Sequence, residues 1–157
     1  VSYEAKLYTG VSGFCQNWCD IKQLVAIILP GNILGCLLVA LMSLFTKLPV
    51  HEAACGVLES RLASGPLACG VLGIGCGILM TSAVAFAKKG KEFGHWVPLL
   101  FAVPLFIHCG FPHCIADAFY YLTAADYILE QPQVLWCYLL TVIGNFIGCN
   151  IPRIASI

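Results

Sequence analysis

Five stretches of this chain carry no Asp, Glu, Lys or Arg: residues 7–19, 23–46, 62–87, 93–116 and 131–152. Crossing the hydrocarbon core of a bilayer takes about 20 consecutive apolar residues. The last four runs exceed that length and read as spanning helices, whereas the first, with 13 residues, can only half-cross. Of 157 residues, 60% are hydrophobic and 10% charged, and the mean hydropathy is +0.89. A soluble domain of this size needs a charged surface, so the class is an all-α integral membrane protein. Eight basic and eight acidic residues cancel, which leaves no electrostatic case for a nucleic-acid partner.

The polar segments between the runs set the topology. Residues 47–61 read as a polar loop, and Lys88, Lys89 and Lys91 crowd a short connection after the third run. Lysines at that density mark the cytoplasmic side. Residues 47–61 and 123–133 then lie outside, and Asp20, Lys22 and Arg153 inside. Ten cysteines are present, but Cys36, Cys69, Cys76, Cys109 and Cys149 sit within apolar runs, where Cys behaves as a small hydrophobe. Cys15 and Cys19 lack the redox C-x-x-C spacing, so no disulfide framework is expected.

One run is internally broken. Gly110, Pro112 and His113 fall near the end of residues 93–116, a combination that interrupts a helix and leaves polar groups at membrane depth. Such backbone persists in a membrane only where it is buried in protein or lines a cavity. An ionisable residue at that depth is a functional candidate by default, and His113 reads as the polar centre of a permeation path. The stretch Gly31-Asn32-Ile33-Leu34-Gly35-Cys36 recurs as Gly144-Asn145-Phe146-Ile147-Gly148-Cys149, each copy preceded by an interrupted segment. Interrupted segments at matching places in inverted halves point to a transport site at the midplane. The expected architecture is one transmembrane domain over residues 1–157, with 1–46 closing a first inverted repeat and 62–157 forming the second. It holds about four full spans and one half-helix.

At these motifs the chain resembles the formate/nitrite transporter family, which includes hydrosulfide channels. Gly110-Phe111-Pro112-His113-Cys114-Ile115-Ala116-Asp117 is similar to the family's G-F-E-H-S-x-A-N, and Leu7-Tyr8-Thr9-Gly10 to its L-F-T-S/G loop. Gly31-Asn32 and Gly144-Asn145 match its two G-N-x-x-G helices, and Gly73-Ile74-Gly75-Cys76-Gly77 resembles its G-I-L-C-N. The resemblance implies an aquaporin-like bundle of broken helices, a homopentamer in the cytoplasmic membrane, and one pore per subunit for small monovalent anions. It implies no cofactor and no enzymatic activity. It also implies a first helix and a half-helix ahead of Leu7 that have no counterpart here, so a truncated or incomplete chain is expected. Pro112 stands in place of the family's Glu, Asp117 of its Asn, and Gly77 of the Asn in its C-N pair. His95 stands near a family lysine, although Lys91 could serve instead.

The resemblance gives Thr9 the task of binding the anion or orienting His113. Phe106 becomes an apolar gate on one side, with Leu7 and Tyr8 on the other. Phe106 lies seven residues before His113, two helical turns along one face. Asp117 lies one turn after it and either holds the imidazolium or faces the vestibule as a solvated carboxylate. Asn32 and Asn145 are expected to hydrogen-bond neighbouring helices. His108, Cys109, His113 and Cys114 match no common metal spacing. Two other readings stay open: a membrane thiol or quinone oxidoreductase using the cysteines, and a non-conducting structural remnant.

Overall fold

The computed structural model describes residues 7–11, 17–89 and 97–154. His95 and Lys91 lie outside them. Among the described residues the helices are α1 (Tyr8–Val11), α2 (Trp18–Gln23), α3 (Leu29–Ser43), α4 (Val50–Ser64), α5 (Pro66–Lys89), α6 (Val97–His108), α7 (Cys114–Thr123), α8 (Ala125–Glu130) and α9 (Val134–Ile154). A π-helical turn, Leu24–Ile28, joins α2 to α3 without a break. Among the described residues three helices are long and apolar enough to cross a membrane: Trp18–Ser43, Pro66–Ala87 and Val134–Ile151.

The first of these starts earlier than the charge-free run suggests. Asn17 and Asp20 account for the difference: the Asn17 N–H donates to the Asp20 carboxylate at 3.1 Å, and the Asn17 carbonyl accepts from the Asp20 N–H at 3.0 Å. A carboxylate in the first turn also suits the positive end of the helix dipole. The π turn has a local cause as well. Pro30 has no N–H and its ring crowds the carbonyl four residues back, and the Leu29 N–H instead reaches the Leu24 carbonyl.

Residues 47–61 are not the polar loop expected above. Most of them belong to α4, which carries Glu52 in its first turn and Arg61 in its last, charges placed to complement the dipole. It stops at Gly65 (φ 81°), whose N–H bonds back to the Arg61 and Leu62 carbonyls, and Pro66 opens α5 directly. Ala54 and Leu58 are fully buried against Tyr121, Ala124 and Val134. Burying a leucine in this way stabilises by about 1.5–3 kcal/mol. At the exposed N-terminal end of α4, His51 reaches Asp126 at 2.9 Å and holds that carboxyl below its ordinary range.

The run 93–116 is interrupted where Gly110 and Pro112 stand, as expected. It contains α6 and then breaks at residues 109–113 before α7 begins. The centre of the bundle is the α5–α9 pair. Gly70, Gly73 and Gly77 on α5 face Gly144 and Gly148 on α9 so closely that a Cβ at Gly144 would meet the Gly70 carbonyl. A Cβ at Gly148 would meet the Ile74 carbonyl, and one at Gly77 the Asn145 carbonyl. Lipid supplies no hydrophobic drive for helix association, so such backbone-to-backbone approach is what joins helices in a membrane. Outward, Leu34, Leu38 and Met42 on α3 and Trp136, Leu139 and Ile143 on α9 are exposed, an apolar surface suited to acyl chains.

Candidate functional site

The break between α6 and α7 follows from its residues. Gly110 takes a left-handed φ of 67°, open to glycine at no steric cost. Its N–H bonds to the Ile107 carbonyl at 3.0 Å, and the Phe111 N–H to the Phe106 carbonyl at 3.0 Å. This pairing closes a helix C-terminus, and Pro112 then prevents its continuation. α7 restarts with His113 as its N-cap, and the imidazole Nδ1 accepts the Ala116 N–H at 3.2 Å.

That cap fixes the ring. With Nδ1 accepting, the neutral imidazole carries its proton on Nε2. Nε2 lies 2.8 Å from the Thr9 Oγ1, brought in by α1, and both side chains are buried. Phe106 stacks on the imidazole, with ring centroids 5.3 Å apart and planes 25° from parallel. The two rings do not share a helical face, because the helix ends between them; the break itself brings them together. A cavity of about 400 Å³ ends at this point, lined by Ser60, Arg61, Phe106, His113, Asp117 and Tyr120 among others. The first-turn amides of Cys114 and Ala116 are already taken by Asn145 and His113. What α7 offers a solute here is therefore chiefly its dipole and the Nε2–H.

The two copies of the repeated motif do the same thing. The Asn32 Oδ1 accepts the Tyr8 N–H at 2.9 Å, and the Asn145 Oδ1 accepts the Cys114 N–H at 3.0 Å. Each amide, from a long helix, holds the first backbone donor of a short one. Asn145 also donates to the Gly73 and Pro112 carbonyls, both at 3.0 Å. An unpaired buried polar group costs about 1–3 kcal/mol, and Asn145→Leu would strand two, the Cys114 N–H and the Pro112 carbonyl. Its melting midpoint in detergent is expected to fall steeply; a melt unchanged from wild type would mean that other groups take over from the amide.

Asp117 matches neither reading offered by its spacing. It is 2% exposed, and its carboxylate is paired with Arg61. Arg61 donates through Nε to Oδ2 and through Nη2 to Oδ1, both at 3.1 Å, and through Nη1 to the Gly110 carbonyl at 3.0 Å. Sequence reasoning missed Arg61 because its segment read as a solvated loop. Tyr8 is buried with Leu24, Cys114 and Ile115, its hydroxyl donating to the Val142 carbonyl at 3.4 Å. Leu7 lines a lateral crevice with Asn32, Gly35 and Phe119, apart from the Thr9–His113 contact. Gly77 lies in the α5–α9 seam, and Gly31 stands beside Asn32 on α3.

The profile of the family described as formate/nitrite transporter matches residues 7–152. The chain belongs to that family. Neither a curated protein nor a solved structure matched it. Membership makes this an integral membrane protein that carries small anions across a bilayer, a channel or transporter and not an enzyme. Thr9, His113 and both Gly-Asn motifs fall within the matched residues.

Proposed function

We propose that this member of the formate/nitrite transporter family passes small monovalent anions such as formate, nitrite or hydrosulfide between Thr9 and His113. We also propose that it does so as a homopentamer in the cytoplasmic membrane, with the Lys88, Lys89 and Lys91 connection facing the cytoplasm. The observation that carries the reading is the buried 2.8 Å contact between a hydroxyl and an imidazole contributed by two separate interrupted segments. A bare anion at low dielectric faces a Born cost on the order of tens of kcal/mol. An anion that displaces the Thr9 hydroxyl accepts the Nε2–H of His113 instead. Proton transfer needs the imidazolium: the ring takes up a proton from the aqueous side, passes one to the anion and returns to its neutral form, and the neutral acid crosses the apolar stretch. Phe106, stacked on the ring, narrows the approach from the cavity. Asp117 borders the cavity, and His95 takes the part of the family lysine.

The test is flux of formate, nitrite and hydrosulfide into proteoliposomes containing the purified chain. No uptake of any of the three above empty vesicles would leave the non-conducting reading standing. The oxidoreductase reading is separated by replacing all ten cysteines with Ala or Ser. Several thiols serve as donors to carbonyls, Cys149 to Thr9 at 3.0 Å and Cys36 to Ile115 at 3.3 Å, a packing role that needs no redox chemistry. The cysteine-free chain is expected to keep conducting; loss of flux from well-folded protein would favour thiol chemistry.

A further inference from the structure

The guanidinium of Arg61 spans the helix break. One edge grips both carboxylate oxygens of Asp117, in the first turn of α7, at 3.1 Å each. The remaining nitrogen holds the carbonyl of Gly110, the left-handed residue that closes α6, at 3.0 Å. His113 lies between those two anchor points in the chain. Arg61 is itself tied down: its own carbonyl accepts the Gly65 N–H at 3.1 Å and the thiols of Cys69 and Cys137 at 3.5 and 3.4 Å. The pair is enclosed, with side-chain exposures of 16% for Arg61 and 3% for Asp117.

We infer that Arg61 is a positioning residue: it clamps the two limbs of the break and so sets the His113 ring against Thr9. Asp117 acts by orienting Arg61, with no contact to the ring of its own. The alternative role for a cation in this cavity is to draw anions in by charge alone. The two roles separate on Arg61→Lys. Lysine keeps the charge as a single point but cannot make the forked pair and reach the Gly110 carbonyl together. A charge-only role survives that change and a clamp does not.

The inference rests on the transport reading, and the experiment keeps the two apart. Arg61→Lys and Asp117→Asn are compared with wild type in two measurements. One is anion flux per folded protomer across pH. The other is the ring ¹⁵N spectrum of His113 in detergent, assigned with His113→Asn. Displacing a positioned group by about 1 Å costs up to about a hundredfold, so flux through Arg61→Lys is expected to fall by about tenfold or more, with an altered pH profile. The His113 signals are expected to lose the single Nε2–H tautomer of the wild type. Asp117→Asn, which leaves the charge on Arg61 but weakens its fork, is expected to move both readouts the same way to a lesser degree.

Wild-type flux, pH profile and histidine signals in Arg61→Lys would overturn the clamp. If Arg61→Lys gives no folded protein, Asp117→Asn decides on the same criteria. Failure of both to fold would reduce the pair to a folding determinant and end the proposal. A wild type that passes no anion would remove the transport reading, and the histidine spectra would still decide the clamp.

Discussion

His113→Asn is expected to lower anion flux by about a hundredfold, the smaller end of what removing a positioned proton-transfer group costs, while leaving the fold intact. The substitution is clean because His113 has a second task. Its Nδ1 caps α7 by accepting the Ala116 N–H, and Asn is among the preferred residues at an N-cap. The helix therefore starts as before. What disappears is the Nε2–H facing Thr9 at 2.8 Å and the aromatic face stacked on Phe106. An amide has no proton to lend at any working pH, so whatever flux remains should lose the pH dependence that the imidazole imparts. Flux measured in proteoliposomes across pH decides the matter. Equal rates for wild type and variant at every pH would take His113 out of the mechanism.

The second large effect concerns the scaffold. Gly144→Ala combined with Gly148→Ala is expected to remove most folded protein from the membrane. Each added methyl would meet a carbonyl of α5, that of Gly70 or Ile74. Backbone atoms cannot rotate away as a side chain can. Overpacking a dense interior typically costs about 1–3 kcal/mol per site, and two sites one turn apart on α9 would push the helices off their seam. Gly56 on α4 provides the contrast, since nothing lies within 4 Å of a Cβ built there. Gly56→Ala should melt no lower than wild type, because alanine is the better helix former. Thermal melts with gel filtration compare the three. Wild-type melting of the Gly144/Gly148 double variant would show that the seam tolerates widening.

Hydropathy and local punctuation made part of this legible in advance. The charge-free runs over 23–46, 62–87 and 131–152 each hold most of one membrane-capable helix, since burial in lipid demands apolar length and little else. The interruption at Gly110 and Pro112 was readable because those two residues act through their own backbone. Helical spacing put Phe106 and His113 on one face two turns apart, whereas the helix ends between them and their rings stack across the break. α4 stayed hidden because a helix bearing Glu52, Glu59 and Arg61 has no hydropathy signature. With α4 hidden, the partner of Asp117 was hidden too. A contact between residues 56 apart in the chain leaves no periodic trace.

The paired amides of Asn32 and Asn145 bear on how selection operates. Each rivets the leading edge of a short segment to a long helix. On the transport reading proposed above, a path bounded by two segments pinned in this way sorts solutes by what they must shed to fit.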